Sequence, residues 1–167
     1  MANEAKISKD LKKEVERLYK EAIKKVTKAD LDSIGKTAVD SMKELISQGI
    51  SPIQGKGRFP AYKHAGDPTK YPDNKRKKFP DKRARPVNLK LSGEFLRNLI
   101  FKSNAANKSV QIGFFDKKNL AKEQGHRDGA NDQPERPVIP TGRENLAQSI
   151  LLQMEKVVQN ILKKIKL

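Results

Sequence analysis

The sequence predicts a small α+β domain: two N-terminal helices, a short central helix and a long C-terminal helix around a small antiparallel sheet. Three observations carry this. Apolar residues recur at helical spacing near both ends, they alternate around residue 110, and Gly and Pro cluster between 51 and 86. At 167 residues the chain suits one domain with an appreciable core. Its expected division is a helical region 1–50, a basic Pro-rich arm or loop 51–86, a sheet-containing core 87–140 and a C-terminal helix 141–167.

The first helix is expected over 8–26, where Leu11, Val15, Leu18, Tyr19, Ala22, Ile23 and Val26 form a stripe. Ser8 is its candidate N-cap. A second helix follows Thr27, with Leu31, Ile34, Ala38, Val39, Met42, Leu45 and Ile46 on one face and Gly49 at a terminating left-handed position. Gly35 lies inside that helix and weakens it by about 1 kcal/mol relative to alanine.

Between 51 and 86 the periodicity disappears. Pro52, Pro60, Pro68, Pro72, Pro80 and Pro86 interrupt any long element, and Gly55, Gly57 and Gly66 loosen the backbone. A segment this long without regular structure suggests an extended arm ordered by a partner, or a mobile loop beside a polyanion. Val87, Leu89 and Leu91 then alternate as in a half-buried strand. Ser92 is placed to cap a short helix carrying Phe95, Leu96, Leu99 and Ile100. Residues 109–115 make the best strand, with Val110, Ile112 and Phe114 on one face, and 101–108 is its expected hairpin partner through a turn at 104–107. A short helix is expected over 117–124. Thr141 and Glu144 form a T-x-x-E capping box that would open the C-terminal helix, whose stripe is Leu146, Ile150, Met154, Val157, Ile161 and Ile165. Lys163, Lys164 and Lys166 complement the dipole at its end.

Composition narrows the chemistry. With no cysteine, disulfides, thiolate nucleophiles and cysteine-ligated zinc are excluded. No apolar run approaches the ~20 residues of a membrane span, so no membrane partner is expected, and the charged N-terminus lacks the apolar segment of a signal peptide. The net charge of +16 points to a polyanionic neighbour, either nucleic acid or an acidic protein surface.

Catalytic candidates are thin. His64 and His126 are far apart, and a zinc site on His126 would have to recruit Glu123 and Asp128 beside a glycine turn. Ser92 precedes Gly93, but S-G-E lacks the flanking glycines of a nucleophile elbow, and helix capping explains the serine. Gly55 and Gly57 in QGKGR are not followed by the G-K-[ST] of a phosphate loop. The expectation is a protein that is not an enzyme and carries no cofactor or metal. Basic contacts are better represented. Lys75, Arg76, Lys77, Lys78, Arg83 and Arg85 could neutralise phosphates, and Tyr62, Tyr71 and Phe79 are interspersed aromatics. An alternative reading is therefore a nonspecific nucleic-acid-binding accessory protein using residues 56–85.

Three patches in order add a resemblance. GKGRFPAYK (55–63), NLKLSGEFLRNL (88–99), and LAKEQGH (120–126) with ERPVIP (135–140) before a terminal helix resemble the virion-morphogenesis and tail-completion proteins of tailed bacteriophages. The likeness covers about residues 50–160. Val138 replaces the large aromatic usual after the Arg-Pro, and the stretch from Tyr62 to Pro86 is unusually basic. The resemblance implies a structural protein of the head-to-tail junction, a homo-oligomeric ring around the DNA passage that completes the tail or joins it to the head connector. It would meet other neck, connector or tail proteins, touch DNA only through its backbone, assemble in the host cytoplasm and reside in the virion. In this reading Gly125 turns the chain, and Arg136 orients a loop that presents Val138 and Ile139 to the core or to another subunit. The basic residues named above face DNA or an acidic partner.

Overall fold

In the computed structural model, residues 2–83, 86–89, 93–129 and 133–165 are described, with side chains from residue 13 onward. The elements are α1 (Ala2–Lys25), α2 (Lys28–Ser47), a single 3-10 turn (Asp73–Lys75), α3 (Glu94–Arg97), β1 (Ile100–Asn104), β2 (Ser109–Gly113), α4 (Lys117–Asp128) and α5 (Gln148–Ile165). The domain is α+β, with a two-stranded antiparallel sheet and several helices.

Helix α2 is central. Thr27 caps it: its hydroxyl accepts from Asp30 N, and Asp30 Oδ2 accepts from Thr27 N at 2.9 Å, closing a capping box. Leu31, Gly35, Ala38, Val39, Met42 and Ile46 are buried, so the expected stripe is the face that meets α5 and the hairpin. Gly49 has φ +77° and ends the helix as the sequence suggests. Gly35 has a different role from the local weakness read in the sequence. A Cβ there would sit 2.5 Å from Phe101 Cδ2 and 3.0 Å from Val110 Cγ1, so the missing side chain lets the helix lie directly on β1 and β2.

The hairpin pairs Phe101 with Ile112 and Ser103 with Val110. Its turn is closed by Asn104, whose Oδ1 accepts from Ala106 N and Asn107 N at 3.0 and 3.1 Å. Two bonds tie it to α2 and to the α1–α2 linker: Ser103 Oγ donates to Asp32 Oδ1, and Lys108 Nζ donates to the Val26 carbonyl at 2.7 Å.

Several boundaries depart from expectation. Helix α1 begins at Ala2 rather than at a cap on Ser8, because nothing in residues 2–7 breaks a helix and alanine, glutamate and lysine favour one. Much of its apolar stripe is uncovered: Val15, Leu18 and Tyr19 are exposed and only Ala22 is buried, while the Leu11 side chain lies outside the described residues. Val87 and Leu89 do not alternate in a strand. Val87, Asn88 and Leu89 are all buried, and Leu89 has φ +48°; Asn88 is accommodated by donating to the Asp81 carbonyl at 2.8 Å. Leu91 and Ser92 lie outside the described residues. Helix α3 starts after Gly93, whose φ is +77°, and ends at Arg97, so Ile100 belongs to β1.

Helix α4 is capped by Asp116, which accepts from Asn119 N at 2.8 Å. It runs through Gly125 to Asp128, and the turn is made by Gly129, with φ +68° and an N–H donating to the Gly125 carbonyl. A Cβ on Gly129 would lie 2.5 Å from the Gln133 carbonyl oxygen. At Thr141 only half of the predicted capping box forms: Thr141 N donates to Glu144 Oε2 at 3.0 Å, but Glu144 N donates to the Thr141 carbonyl and not to its hydroxyl, closing a turn and not a helix. Residues 145–147 instead run beside 52–54: Leu146 bridges Ile53, Gln54 N donates to the Asn145 carbonyl at 2.9 Å, and Ala147 N donates to the Pro52 carbonyl at 2.8 Å. Those contacts hold the backbone extended and delay α5 to Gln148. Within α5, Ile150 and Ile161 are buried and Met154 and Val157 half-buried, as the stripe requires.

Three substitutions test this packing. Gly35→Ala adds helix propensity worth about 1 kcal/mol but forces a methyl into the Phe101 ring, and overpacking costs about 1–3 kcal/mol. A lower urea midpoint is expected; a higher one would mean the helix does not rest on the hairpin. Ile150→Ala and Ile161→Ala are each expected to lose about 2–5 kcal/mol, read as a fall in thermal midpoint, and an unchanged midpoint in both would displace α5 from the core.

Candidate functional site

The long segment after Ile50 is a folded loop over its described residues, and it supplies part of the core. Ser51, Pro52, Ile53, Phe59, Tyr62, Pro72 and Lys82 are buried. Its start is pinned by Phe59 N donating to the Gly49 carbonyl at 2.7 Å and Ser51 N donating to the Gly57 carbonyl at 2.8 Å. Gly55 and Gly57 take positive φ in the intervening turn. Prolines and glycines remove helix and strand here, yet the loop still buries aromatic and aliphatic side chains.

Arg136 is the strongest tether. It is 1% exposed. Its Nε donates to the Pro60 carbonyl and an Nη to the Ala61 carbonyl, both at 3.0 Å, and the guanidinium carbon lies 4.2 Å from the centroid of the Tyr62 ring. Its backbone N–H donates to the His126 carbonyl at 2.6 Å. One residue thus joins the loop, the end of α4 and the Arg-Pro segment. Pro137 follows it; the Pro137 carbonyl accepts from Ser51 Oγ at 3.0 Å, and Val138 is fully buried while Ile139 is half-buried.

Lys82 adds a second buried cation, 2% exposed. Its ammonium donates to Tyr62 Oη at 2.6 Å and lies 4.4 and 5.1 Å from the Tyr62 and Tyr71 ring centroids. The two rings meet edge to face, 5.2 Å apart. Among the described residues neither Lys82 nor Arg136 is paired with a carboxylate; carbonyls, hydroxyls and ring faces stand in for one. Burial lowers the pKa of both cations and raises that of the Tyr62 hydroxyl, with the neighbouring Tyr71 reinforcing the latter.

His126 packs beside Phe95, their rings 5.4 Å apart, and Phe95 stacks on Phe114 at 4.5 Å. Burial, followed by the charges of Arg136, Lys82 and Lys122, pushes the imidazole pKa down to about 4. The other groups considered for a metal or a hydrolytic centre do not turn toward it. Glu123 Oε1 faces the Val138 and Ile139 N–H groups at 3.4 Å and Arg127 Nε at 3.6 Å, while Asp128 accepts from Gln124 at 2.7 Å. Arg127 continues that strut, donating to Glu144 Oε2 at 2.9 Å and to the Ile139 carbonyl. His64 is half-buried in the loop, and no group of three potential metal-ligating side chains occurs among the described residues.

The basic run is placed otherwise. Lys75, Arg76, Lys77, Lys78 and Arg83 are exposed on the outer part of the loop. Arg76 lies 3.6 Å from Asp73, and Lys78 sits over the Phe79 ring at 5.7 Å. Arg85 lies outside the described residues. Tyr62, read from the sequence as a base-stacking candidate, is buried beneath Arg136 and Lys82. Sequence reasoning missed Lys82 because it stands among exposed basic residues; the only local signal is its place two residues after Pro80, in a turn where Lys82 N donates to the Phe79 carbonyl at 3.0 Å.

No family model matches the chain, and no curated protein or solved structure matches it.

Arg136→Lys keeps the charge but loses the two-pronged contact with Pro60 and Ala61. A loss of about 2 kcal/mol in urea unfolding is expected, because hydrogen bonds from charged groups are worth about 1.5–3 kcal/mol; equal unfolding midpoints would deny the tether. For His126 the folded pKa of about 4 lies below the ordinary 6.5. The unfolded chain therefore takes up the proton first, and stability falls as pH drops from 6.5 to 4, by about 3 kcal/mol. His126→Gln should remove that dependence, so the stability difference between the two proteins should change by about this much across the window. A constant difference would contradict the burial.

Proposed function

We propose that the chain is a structural subunit of a tailed-phage neck or tail end, forming a ring that completes the tail or joins it to the head connector around the DNA passage. The observation that carries this reading is the convergence of the three patches that resemble such proteins. Arg136 of ERPVIP bonds to Pro60 and Ala61 of GKGRFPAYK and to His126 of LAKEQGH, while Phe95 of the NLKLSGEFLRNL patch packs on His126. Patches separated by dozens of residues are thus one structural unit, and that unit is a scaffold of tethers and core contacts.

A second observation favours assembly. Val15, Leu18 and Tyr19 on α1 are exposed, as are Leu151, Leu152, Val158 and Leu162 on α5. Apolar helix faces of this kind suit burial against other subunits. The exposed basic residues Lys75, Arg76, Lys77, Lys78 and Arg83 favour contact with DNA through its phosphates or with an acidic neighbouring protein. The same residues support the alternative, a nonspecific nucleic-acid-binding accessory protein, which would require salt-sensitive DNA binding by the isolated chain and no place in the virion.

Electron microscopy of virions carrying labelled protein tests the main reading: label at the neck or tail end is expected, and its absence from both would overturn it. At the level of the subunit, Leu18→Glu with Val158→Glu should dissociate the assembly in sedimentation while leaving the thermal midpoint of the monomer nearly unchanged, since both side chains are exposed. An assembly of unchanged mass would exclude these faces from the interface.

A further inference from the structure

Beside the Arg136 tether lies a cavity of about 210 Å3 lined by Tyr62, Tyr71, Lys82, Leu89, Gly93, Phe95, Lys122 and His126. Its polar lining residues are two lysines, two tyrosines and a histidine, with no Asp or Glu among the described ones; the Glu94 carboxylate, bonded to Lys118, also feels the Lys122 charge. We propose that this cavity binds a single oxyanion, a carboxylate or phosphate group, with Lys82 and Lys122 supplying the counter-charge and the tyrosine hydroxyls supplying donors.

Charge imbalance is the first argument. Lysine is seldom buried without an ionic partner, because desolvation penalises the ammonium. Lys82 is buried next to a second buried cation, Arg136; its partners are the Tyr62 hydroxyl, the Tyr71 hydroxyl and the two ring faces, none of them a carboxylate. An anion in the adjoining cavity would complete its coordination. Position is the second argument. Lys122 is exposed and Tyr71 partly so, forming a rim through which a solute can enter, while Lys82 and Tyr62 lie at the buried end. Leu89 and Phe95 give the cavity an apolar wall that can receive the carbon stem of a carboxylate or phosphate ester. A pocket of this size, open at the Lys122 rim, takes one anionic group; a run of phosphates needs a long groove that tracks the backbone. His126, facing Arg136, Lys82 and Lys122, reports the positive field, which a bound anion would offset.

The chain has two histidines, and His64 does not line the cavity, so NMR of the imidazole signals contains its own control. The full chain is titrated with inorganic phosphate and, separately, with acetate, sodium chloride holding ionic strength constant. Saturable movement of the His126 signals, a rise of its pKa from about 4 and still His64 signals are expected. Response to phosphate alone assigns a phosphate ligand, response to acetate alone a carboxylate, and response to both the shared chemistry. Lys122→Gln, a change at the exposed rim, should weaken binding about tenfold, as expected for loss of one charge-assisted contact. Lys82→Met should abolish it where that chain folds. The proposal is overturned if neither anion moves His126, if His126 and His64 move together, or if Lys122→Gln binds as tightly as the unaltered chain.

Discussion

A buried guanidinium bonded to backbone carbonyls is the constraint on which the rest of this structure depends. Arg136 holds Pro60 and Ala61 with its side chain and His126 with its backbone, at distances of 2.6–3.0 Å. Five donors in a rigid plane suit that task, and a lysine would supply one mobile point charge. Because the guanidinium covers the Tyr62 ring, the same residue also places the phenol that accepts from Lys82. Loop, α4 and the segment leading to α5 are thereby assembled around one residue.

The electrostatics follow from that choice. Satisfying Arg136 with carbonyls leaves its charge uncompensated, and Lys82 adds another within the same aromatic cluster. Burial, and after it these two charges, keep His126 neutral, and the cavity beside it acquires a positive lining. Outside, Lys75, Arg76, Lys77, Lys78 and Arg83 are exposed and screened by solvent, so they contribute little to stability. Buried and exposed positive charge thus differ in their surroundings: Arg136 and Lys82 fasten the loop, while the exposed run faces solvent.

Much of the fold was legible in the sequence where periodicity reports a buried face. The stripe of α2, the hairpin around residue 106 and the α5 residues Ile150, Met154, Val157 and Ile161 lie close to where spacing places them. Three features were not, each for a nonlocal reason. Gly35 reads as a weak point until Phe101 is seen against it. Thr141 and Glu144 read as a helix start, but the pairing of Leu146 with Ile53 draws the backbone into extended form. The loop after Ile50 reads as an arm because proline and glycine suppress regular elements, whereas its burial rests on isolated side chains, Phe59, Tyr62 and Lys82, whose partners are far away in sequence. At the candidate site, the Arg-Pro pair drew attention to Arg136, but its bonds to the distant Pro60 and Ala61 carbonyls were not legible. Nor was the partnership of Lys82 with Tyr62, since nothing in a run of basic residues distinguishes the one that turns inward.

Hydrogen exchange in the Arg136→Met protein tests the central claim most directly. In the native chain, the amides of Phe59, Ala65 and Lys82 donate to carbonyls within the loop or at its base, while the hairpin amides sit in the separate β1–β2 ladder. If Arg136 fastens the loop, its replacement should accelerate exchange at Phe59, Ala65 and Lys82 while the hairpin amides keep their protection, because opening would be local. Unchanged protection at all three loop amides would contradict the account.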